Sequence, residues 1–342
     1  MDKIQIVSWL LTRRCNLHCS YCRISRDYDR PLEYTKILRY FYQNEMKTEY
    51  ILEALRRLKL HNPNHFNIFY GGEPTLRKDL PEIIEYCNNE NINYTIITNH
   101  SGQSQLEIKN ILNKVGNIQG LTTSIDPISD SLFKSDQVRK TYDGWGLLQY
   151  KGKIKDLVAE ITTDNYNLYN LHSLVKNLTE KGINSDITFI DIAKSPYYDF
   201  SNVTDERLLV NKSQELRDII NKIIDDKLNV HMRDILLPAI YDILPSNLDC
   251  KIEKDVHNIT IDSDGSIRLC LRIAGVKTQS TFNLLNFLDE NENLYKSLKV
   301  SLAEDKEKYC LGCNWTCQIM SSLTSKNEGN IDNLLHSERR SE

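Results

Sequence analysis

The stretch TRRCNLHCSYCRI, residues 12–24, brings three of the chain's nine cysteines close together as Cys15, Cys19 and Cys22. Three thiols are awkward for disulfides and one short of a closed tetrahedral metal site. Thiolates are soft ligands, and iron–sulfur clusters are bound by cysteines at close spacing. A four-iron cube held by these three would keep one iron open to a ligand other than protein. Two further readings suit the same residues. One is a zinc site drawing on His18, although structural zinc sites rarely run C-x3-C-x2-C. The other is three small buried side chains.

Working outward, KIQIVSWLLT (3–12) reads as a strand that leads straight into this loop. Then come TEYILEALRRLKLH (48–61) as a helix and HFNIFYGGEP (65–74) as a strand ending in glycines. DLPEIIEYCNNEN (79–91) is helical, NYTIITNH (93–100) a strand, QLEIKNILNKV (105–115) a helix and GLTTSID (120–126) a strand. KIKDLVAEIT (153–162), a helix through LYNLHSLVKNLTEKG (168–182) and SDITFIDIA (185–193) continue the alternation. Repeated β-then-α units with short connections predict a parallel sheet with helices outside it, open or closed into a barrel. The rhythm stops near residue 200. DERLLVNKSQELRDIINKIIDDKL (205–228) reads as one long amphipathic helix, and LLPAIYDILPSN (236–247) as a connector. HNITIDSDGSIRLCLRI (257–273) carries a β-hairpin signal around Ser263-Asp264-Gly265.

Composition narrows the class. The chain has 342 residues, 40% hydrophobic and 26% charged, as ordinary globular proteins have. A net charge of −4 gives no electrostatic reason to expect nucleic acid or an anionic membrane as the main partner. The first fifteen residues lack a signal-peptide cleavage pattern, and no apolar run reaches the roughly 18 residues that span a bilayer. A cytoplasmic location is expected, where clustered thiols stay reduced and serve metals or catalysis.

The second informative stretch is Gly71-Gly72-Glu73-Pro74 at a strand end. Two glycines there let a ligand approach the backbone, and Glu73 suits an ammonium group. Together with the cysteine loop, this makes the sequence resemble the radical S-adenosylmethionine (SAM) superfamily over roughly residues 4–195.

The resemblance implies a full or partial (β/α) barrel, here a partial (β/α)6 TIM-like barrel, with its site at the C-terminal strand ends. It implies a [4Fe–4S] cluster on Cys15, Cys19 and Cys22, with the amino and carboxylate groups of SAM on the open iron. Tyr21 stands where the family places an aromatic residue. Gly71, Gly72, Glu73 and Pro74 would meet the methionine amino group. Thr98, Asn99, Ser124 and Asp126 lie in stretches matching later strand ends that contact ribose and carboxylate, and Arg139 would meet the carboxylate. The implied reaction is one-electron cleavage of SAM to methionine and a 5′-deoxyadenosyl radical, which abstracts hydrogen from substrate. Plainer readings stand beside these. Thr98, Asn99 and Ser124 suit turns and helix caps; Arg13, Arg14 and Arg23 flank the cluster loop and would temper its negative charge, but they and Arg139 also suit plain solvated charge. His100 suits a structural role, and Cys87 a buried apolar position.

The remaining cysteines, Cys250, Cys270, Cys310, Cys313 and Cys317, all follow residue 249. Their arrangement resembles the SPASM/twitch auxiliary-cluster domains of many radical SAM enzymes, with fewer cysteines than a full SPASM domain. The resemblance implies one auxiliary [4Fe–4S] cluster on Cys250, Cys270, Cys310 and Cys313, with Cys317 as spare or substitute. A four-cysteine zinc ribbon fits the same spacing. The expected organisation is a core over 1–200, a helical linker over 201–245, a small α+β auxiliary-cluster domain with a β-hairpin over 246–325, and a polar tail over 326–342.

The expected function is a radical SAM enzyme of the oxidoreductase or maturase type acting on a peptide or small molecule. The auxiliary cluster would aid oxidation or cross-linking, and a flavodoxin- or ferredoxin-like donor would supply electrons. The first strand reaches the cysteine loop without a preceding leader-binding segment, which leans toward a small molecule or a separately recognised peptide. The alternatives are epimerase or methyltransferase-type modification and a non-catalytic two-cluster redox protein. The last leaves GGEP and the β–α alternation unexplained.

Overall fold

The computed structural model describes residues 4–17, 39–125, 149–150, 152–165, 167–189, 213–231, 258–268 and 283–288, and the single residues 210, 237 and 300. Among them, β1 (Ile6–Thr12), β2 (Phe66–Gly71), β3 (Asn93–Thr98), β4 (Ile118–Ile125), β5 (Ile154–Thr163) and β6 (Asn184–Phe189) lie side by side in parallel. Helices α1 (Thr48–His61), α2 (Leu80–Asn89), α3 (Gly102–Val115) and α4 (Leu171–Glu180) connect or flank them. Their spacing explains their docking. Ile51, Ala54, Leu55 and Leu58 of α1, and Leu171, Leu174, Val175 and Leu178 of α4, recur at one-face intervals and are buried. They join one core with Trp9, Phe69, Tyr94, Ile96, Leu121, Ile161 and Ile187 from the sheet. The Trp9 indole N–H, buried in that core, donates to Asn67 Oδ1 at 2.9 Å.

Helix α5 (Gln214–Asp225) forms the centre of the helix expected over 205–228. Ser213 caps it by accepting the Leu216 N–H at 3.1 Å. Residues 205–209, 211 and 212 of that stretch lie outside the described residues.

The sheet gains a seventh parallel strand. β7 (Asn258–Ile261) pairs with β1 on the side away from β2, and β8 (Ile267–Arg268) returns antiparallel to it. The order is β6-β5-β4-β3-β2-β1-β7-β8. The hairpin is present as expected, with Gly265 at φ +84° in its turn, but its first strand extends the barrel sheet. The reason is legible in β1. IVSWLLT is buried at most of its positions, the pattern of a strand with neighbours on both sides and both faces covered. Beyond the hairpin, a short helix α6 (Leu284–Phe287) rests on α1. Arg57 donates to the Leu285 carbonyl at 3.2 Å, and Tyr50 Oη donates to Asn283 Oδ1 at 2.5 Å.

Candidate active site

All parallel strands end at one edge, and the cysteine loop leaves β1 there. Its start is fixed by the glycines after β2. Gly72 N–H donates to the Thr12 carbonyl and Glu73 N–H to the Arg14 carbonyl, each at 2.7 Å. A Cβ on Gly71, where φ is +151°, would stand 2.2 Å from Thr12 O; one on Gly72 would stand 2.2 Å from Arg14 O. The close approach expected from sequence is thus made by the chain's own cysteine loop, and only glycine permits it.

Glu73 is held by the ends of two strands. Its side chain is fully buried. Oε1 accepts from Thr75 N at 3.1 Å, Thr75 Oγ1 at 2.7 Å and Thr98 Oγ1 at 2.9 Å, while Oε2 accepts from Asn99 N at 2.7 Å. Burial pushes its pKa up, and these donors oppose that by favouring the charged form. The carboxylate ties the end of β2 to the end of β3. Pro74 follows it as the first residue of a short 3-10 turn, Pro74–Leu76.

Thr98 and Asn99, expected at the ribose, are drawn into the same network. The Thr98 hydroxyl is buried, giving its proton to Glu73 and accepting the His100 N–H at 3.1 Å. The Asn99 carboxamide reaches the cysteine loop. Nδ2 donates to Asn16 Oδ1 at 2.9 Å and lies 3.7 Å from Cys15 Sγ; Oδ1 accepts from Ser101 N at 2.9 Å and Ser104 Oγ at 3.1 Å. The polar atoms of this amide are engaged within the protein.

Arg13 and Arg14, at the start of the loop, are anchored by carboxylates. Arg13 is buried and grips Asp262, at the end of β7, through contacts of 2.7, 2.8 and 3.2 Å, with the Phe41 ring 4.2 Å from its guanidinium carbon. Arg14 pairs with Glu45 at 2.7 Å, and Glu45 also accepts the Thr12 hydroxyl. Arg77 donates to the Leu11 and Met46 carbonyls, each at 2.9 Å, and pairs with Asp79. Sequence reasoning missed Asp262, Glu45 and Arg77, because nothing local marks a partner that distant in the chain.

His100 and Cys87 take the plainer roles. Cys87 is buried and burial pushes its thiol pKa up, which keeps it a neutral apolar filler. His100 sits at φ +48° with its ring edge-on to Tyr150, and burial lowers its pKa to about 4. An unfolded histidine protonates near 6.5, so between pH 6.5 and 4 the unfolded chain binds the extra proton and stability falls as pH falls. This contribution amounts to up to about 3 kcal/mol. We expect His100→Asn, suited to positive φ, to lose stability less steeply than the parent on acidification when unfolding is measured across this range. Parallel pH profiles would contradict the assignment.

Over β4–β6 the face of the sheet opposite the helices is largely polar, while over β1–β3 it carries an apolar cluster of Leu10, Ile68, Tyr70 and Ile97. Thr95 meets Thr122 at 3.3 Å, Ser124 stands beside Glu160 in register, Thr188 donates to Glu160 at 3.2 Å, and Asp186 meets His231 Nδ1 at 2.9 Å. A closed barrel packs this face with branched apolar side chains; here polar groups line its β4–β6 part. Sequence reasoning nominated only Ser124 among these, although a polar residue at alternate positions of β4–β6 was the available signal.

The site thus unites Cys15, Gly71, Gly72, Glu73, Pro74, Thr98 and Asn99, with Ser124 on the next strand. Cys19, Tyr21, Cys22, Asp126, Arg139, Cys250, Cys270, Cys310, Cys313 and Cys317 lie outside the described residues. The part of the loop that is described suits a metal-bound thiolate. Cys15 is partly exposed, and its sulfur has the Leu17 N–H at 3.4 Å and the Asn99 amide facing it.

Residues 9–141 match the family model described as Radical SAM superfamily. This stretch is similar to radical SAM domains. Similar curated proteins include the Fe-coproporphyrin III synthase of Methanosarcina barkeri, 30% identical over 42% of this chain and 32% of that protein. The AdoMet-dependent heme synthase of Oleidesulfovibrio alaskensis is 27% identical over 51% of this chain and 43% of its own length. The uncharacterized protein MJ0907 of Methanocaldococcus jannaschii is 30% identical, over 51% and 58%. These matches thus span between about a third and three-fifths of the relatives' lengths. In fold, the chain resembles Streptococcus suis SuiB. SuiB bound to precursor peptide SuiA aligns over 87% of this chain and 67% of that one, with a TM-score of 0.56 and 16% identity. SuiB bound to S-adenosylmethionine aligns with a TM-score of 0.53 and 18% identity, over 87% and 68%. Among the described residues, no helix is long and apolar enough to cross a membrane.

Proposed function

We propose that this chain is a radical SAM enzyme that activates a peptide or small-molecule substrate by hydrogen-atom abstraction. The observation that carries this reading is the docking of the Cys15 loop on the Gly71–Gly72 backbone, at the strand edge where Asn99 also faces Cys15. Cys15, Cys19 and Cys22 would hold the [4Fe–4S] cluster and leave one iron for SAM. Together, cluster and SAM supply a 5′-deoxyadenosyl radical by one-electron reductive cleavage of the sulfonium. The chain's own residues hold and shape the site. Gly71 and Gly72 let the loop seat, Glu73 and Thr98 lock the ends of β2 and β3, and Arg13, Arg14 and Arg77 fix the backbone leading into the loop. Ser124, and by resemblance Tyr21, Asp126 and Arg139, are proposed to face SAM. The polar inner face around Thr122, Glu160, Asp186 and Thr188 is proposed as the substrate bed.

The C-terminal cysteines support an auxiliary cluster by their spacing alone, with Cys250, Cys270, Cys310 and Cys313 as ligands and Cys317 as substitute. This belongs to the proposed division into a core to residue 200, a linker to 245 and an auxiliary domain to 325, the last lending its β7–β8 hairpin to the core sheet. A cytoplasmic location and a ferredoxin- or flavodoxin-like electron donor complete the proposal.

The test is anaerobic reconstitution with iron and sulfide, followed by dithionite and SAM. Release of 5′-deoxyadenosine and methionine is expected. Protein with an intact cluster that releases neither would overturn the reading. Iron and sulfide near about eight each per chain are expected for two cubes; about four would remove the auxiliary cluster.

A further inference from the structure

We infer that Asn99 is a positioning residue that tunes the cluster's reduction potential by donating its side-chain amide to the Cys15 sulfur. The inference rests on the reading of Cys15 as a cluster ligand and adds a role that sequence did not suggest for Asn99.

The geometry fixes which way the amide points. An asparagine amide is ambiguous until its partners choose an orientation. Here the Ser101 backbone N–H, 2.9 Å away, can only donate, so the atom facing it must be Oδ1. Ser104 Oγ, at 3.1 Å, supplies a second donor to that oxygen. Nδ2 therefore faces the loop, where Asn16 Oδ1 accepts one proton at 2.9 Å and Cys15 Sγ lies 3.7 Å away to accept the other. The backbone is fixed as well, because Asn99 N–H is held by the buried Glu73 carboxylate at 2.7 Å. Asn16 in turn donates to Ser101 Oγ at 2.8 Å, closing the network between the loop and the end of β3.

A donor to a cluster-bound sulfur favours the reduced state, which carries one more negative charge, and so raises the potential. Hydrogen bonds to charged groups contribute about 1.5–3 kcal/mol, whereas the difference between two oxidation states is a part of that. A tenfold change in the reduction equilibrium, about 59 mV for one electron, is the expected scale. The carboxamide is suited to this because its other contacts are to fixed backbone and loop groups, leaving the donor in place when the cluster changes charge.

The experiment is an EPR-monitored redox titration of the reconstituted holoenzyme, comparing the parent with Asn99→Ala, Asn99→Asp and Ser104→Ala. Asn99→Asp keeps the oxygen that accepts from Ser101 but replaces the donor with a carboxylate. Ser104→Ala removes a contact to Asn99 that does not reach the sulfur. The potential should fall about tenfold in equilibrium terms for Asn99→Ala, further for Asn99→Asp, and stay at the parent value for Ser104→Ala. Unchanged potentials in Asn99 variants that carry the cluster would overturn the inference. So would loss of cluster from both Asn99 variants with normal loading of Ser104→Ala, since that marks Asn99 as scaffold only. A parent protein that takes up no EPR-active cluster would instead overturn the underlying reading of Cys15.

Discussion

Replacing Asp262 with alanine is expected to cost about 3–5 kcal/mol of stability, the usual consequence of leaving a buried charge without its partner. Arg13 and Asp262 have side-chain exposures of 2% and 0%, so water cannot take over for the missing carboxylate. The Arg13 guanidinium would stay enclosed against Phe41 with the Asp262 charge gone. Urea unfolding should show a lower midpoint for Asp262→Ala, and iron uptake should fall, because Arg13 lies two residues before Cys15. Arg13→Met combined with Asp262→Asn should recover most of the loss. No charge then remains to be buried, and the carboxamide oxygen introduced on β7's end can still accept the Ser263 N–H that the native carboxylate holds at 2.7 Å. A single variant as stable as the parent would show that this pair does not hold the hairpin to the loop.

Gly72→Ala is expected to abolish correct seating of the cysteine loop. Its new Cβ would lie 2.2 Å from Arg14 O and 2.8 Å from Arg13 O, and both are backbone atoms with no rotamer by which to move aside. The loop must therefore shift as a unit. A displacement on the order of 1 Å at a reacting centre costs about a hundredfold in rate, so SAM cleavage should fall by at least that much, together with iron retention. Gly102→Ala is the control: nothing lies within 4 Å of its Cβ position at the start of α3, and a small gain of about 0.4–1 kcal/mol is expected. Equal SAM cleavage in the two variants would contradict the docking assigned to Gly72.

Much of this molecule is written locally. The helical period of TEYILEALRRLKLH marks α1 from Thr48 to His61, and the burial of most residues in IVSWLLT explains its central place. The hairpin turn at Gly265 is equally local. Its attachment is different. Ile259 and Ile261 suit the interior of either a small separate sheet or the barrel sheet, and only the pairing Ile6–Asn258 through Trp9–Ile261 selects the latter. The site shows the same divide. Cysteine spacing and the paired glycines are visible in sequence because they are consecutive, whereas the direction of a polar side chain is not. Glu73, Thr98 and Asn99 are as suited to a ligand as to one another. In three dimensions, two strand ends bring N–H and O–H donors around one carboxylate, and burial removes the competing solvent. Arg13 illustrates the limit most plainly, since its partner lies 249 residues away.

The central claim is that the iron left open by the Cys15, Cys19 and Cys22 thiolates is the one SAM occupies. The most direct measurement is pulsed EPR on the reduced, reconstituted protein with SAM labelled with 15N at the methionine amino group. A new 15N coupling to the cluster spin, lost on changing to unlabelled SAM, is the predicted result. A cluster signal unaltered by saturating labelled SAM would contradict the claim.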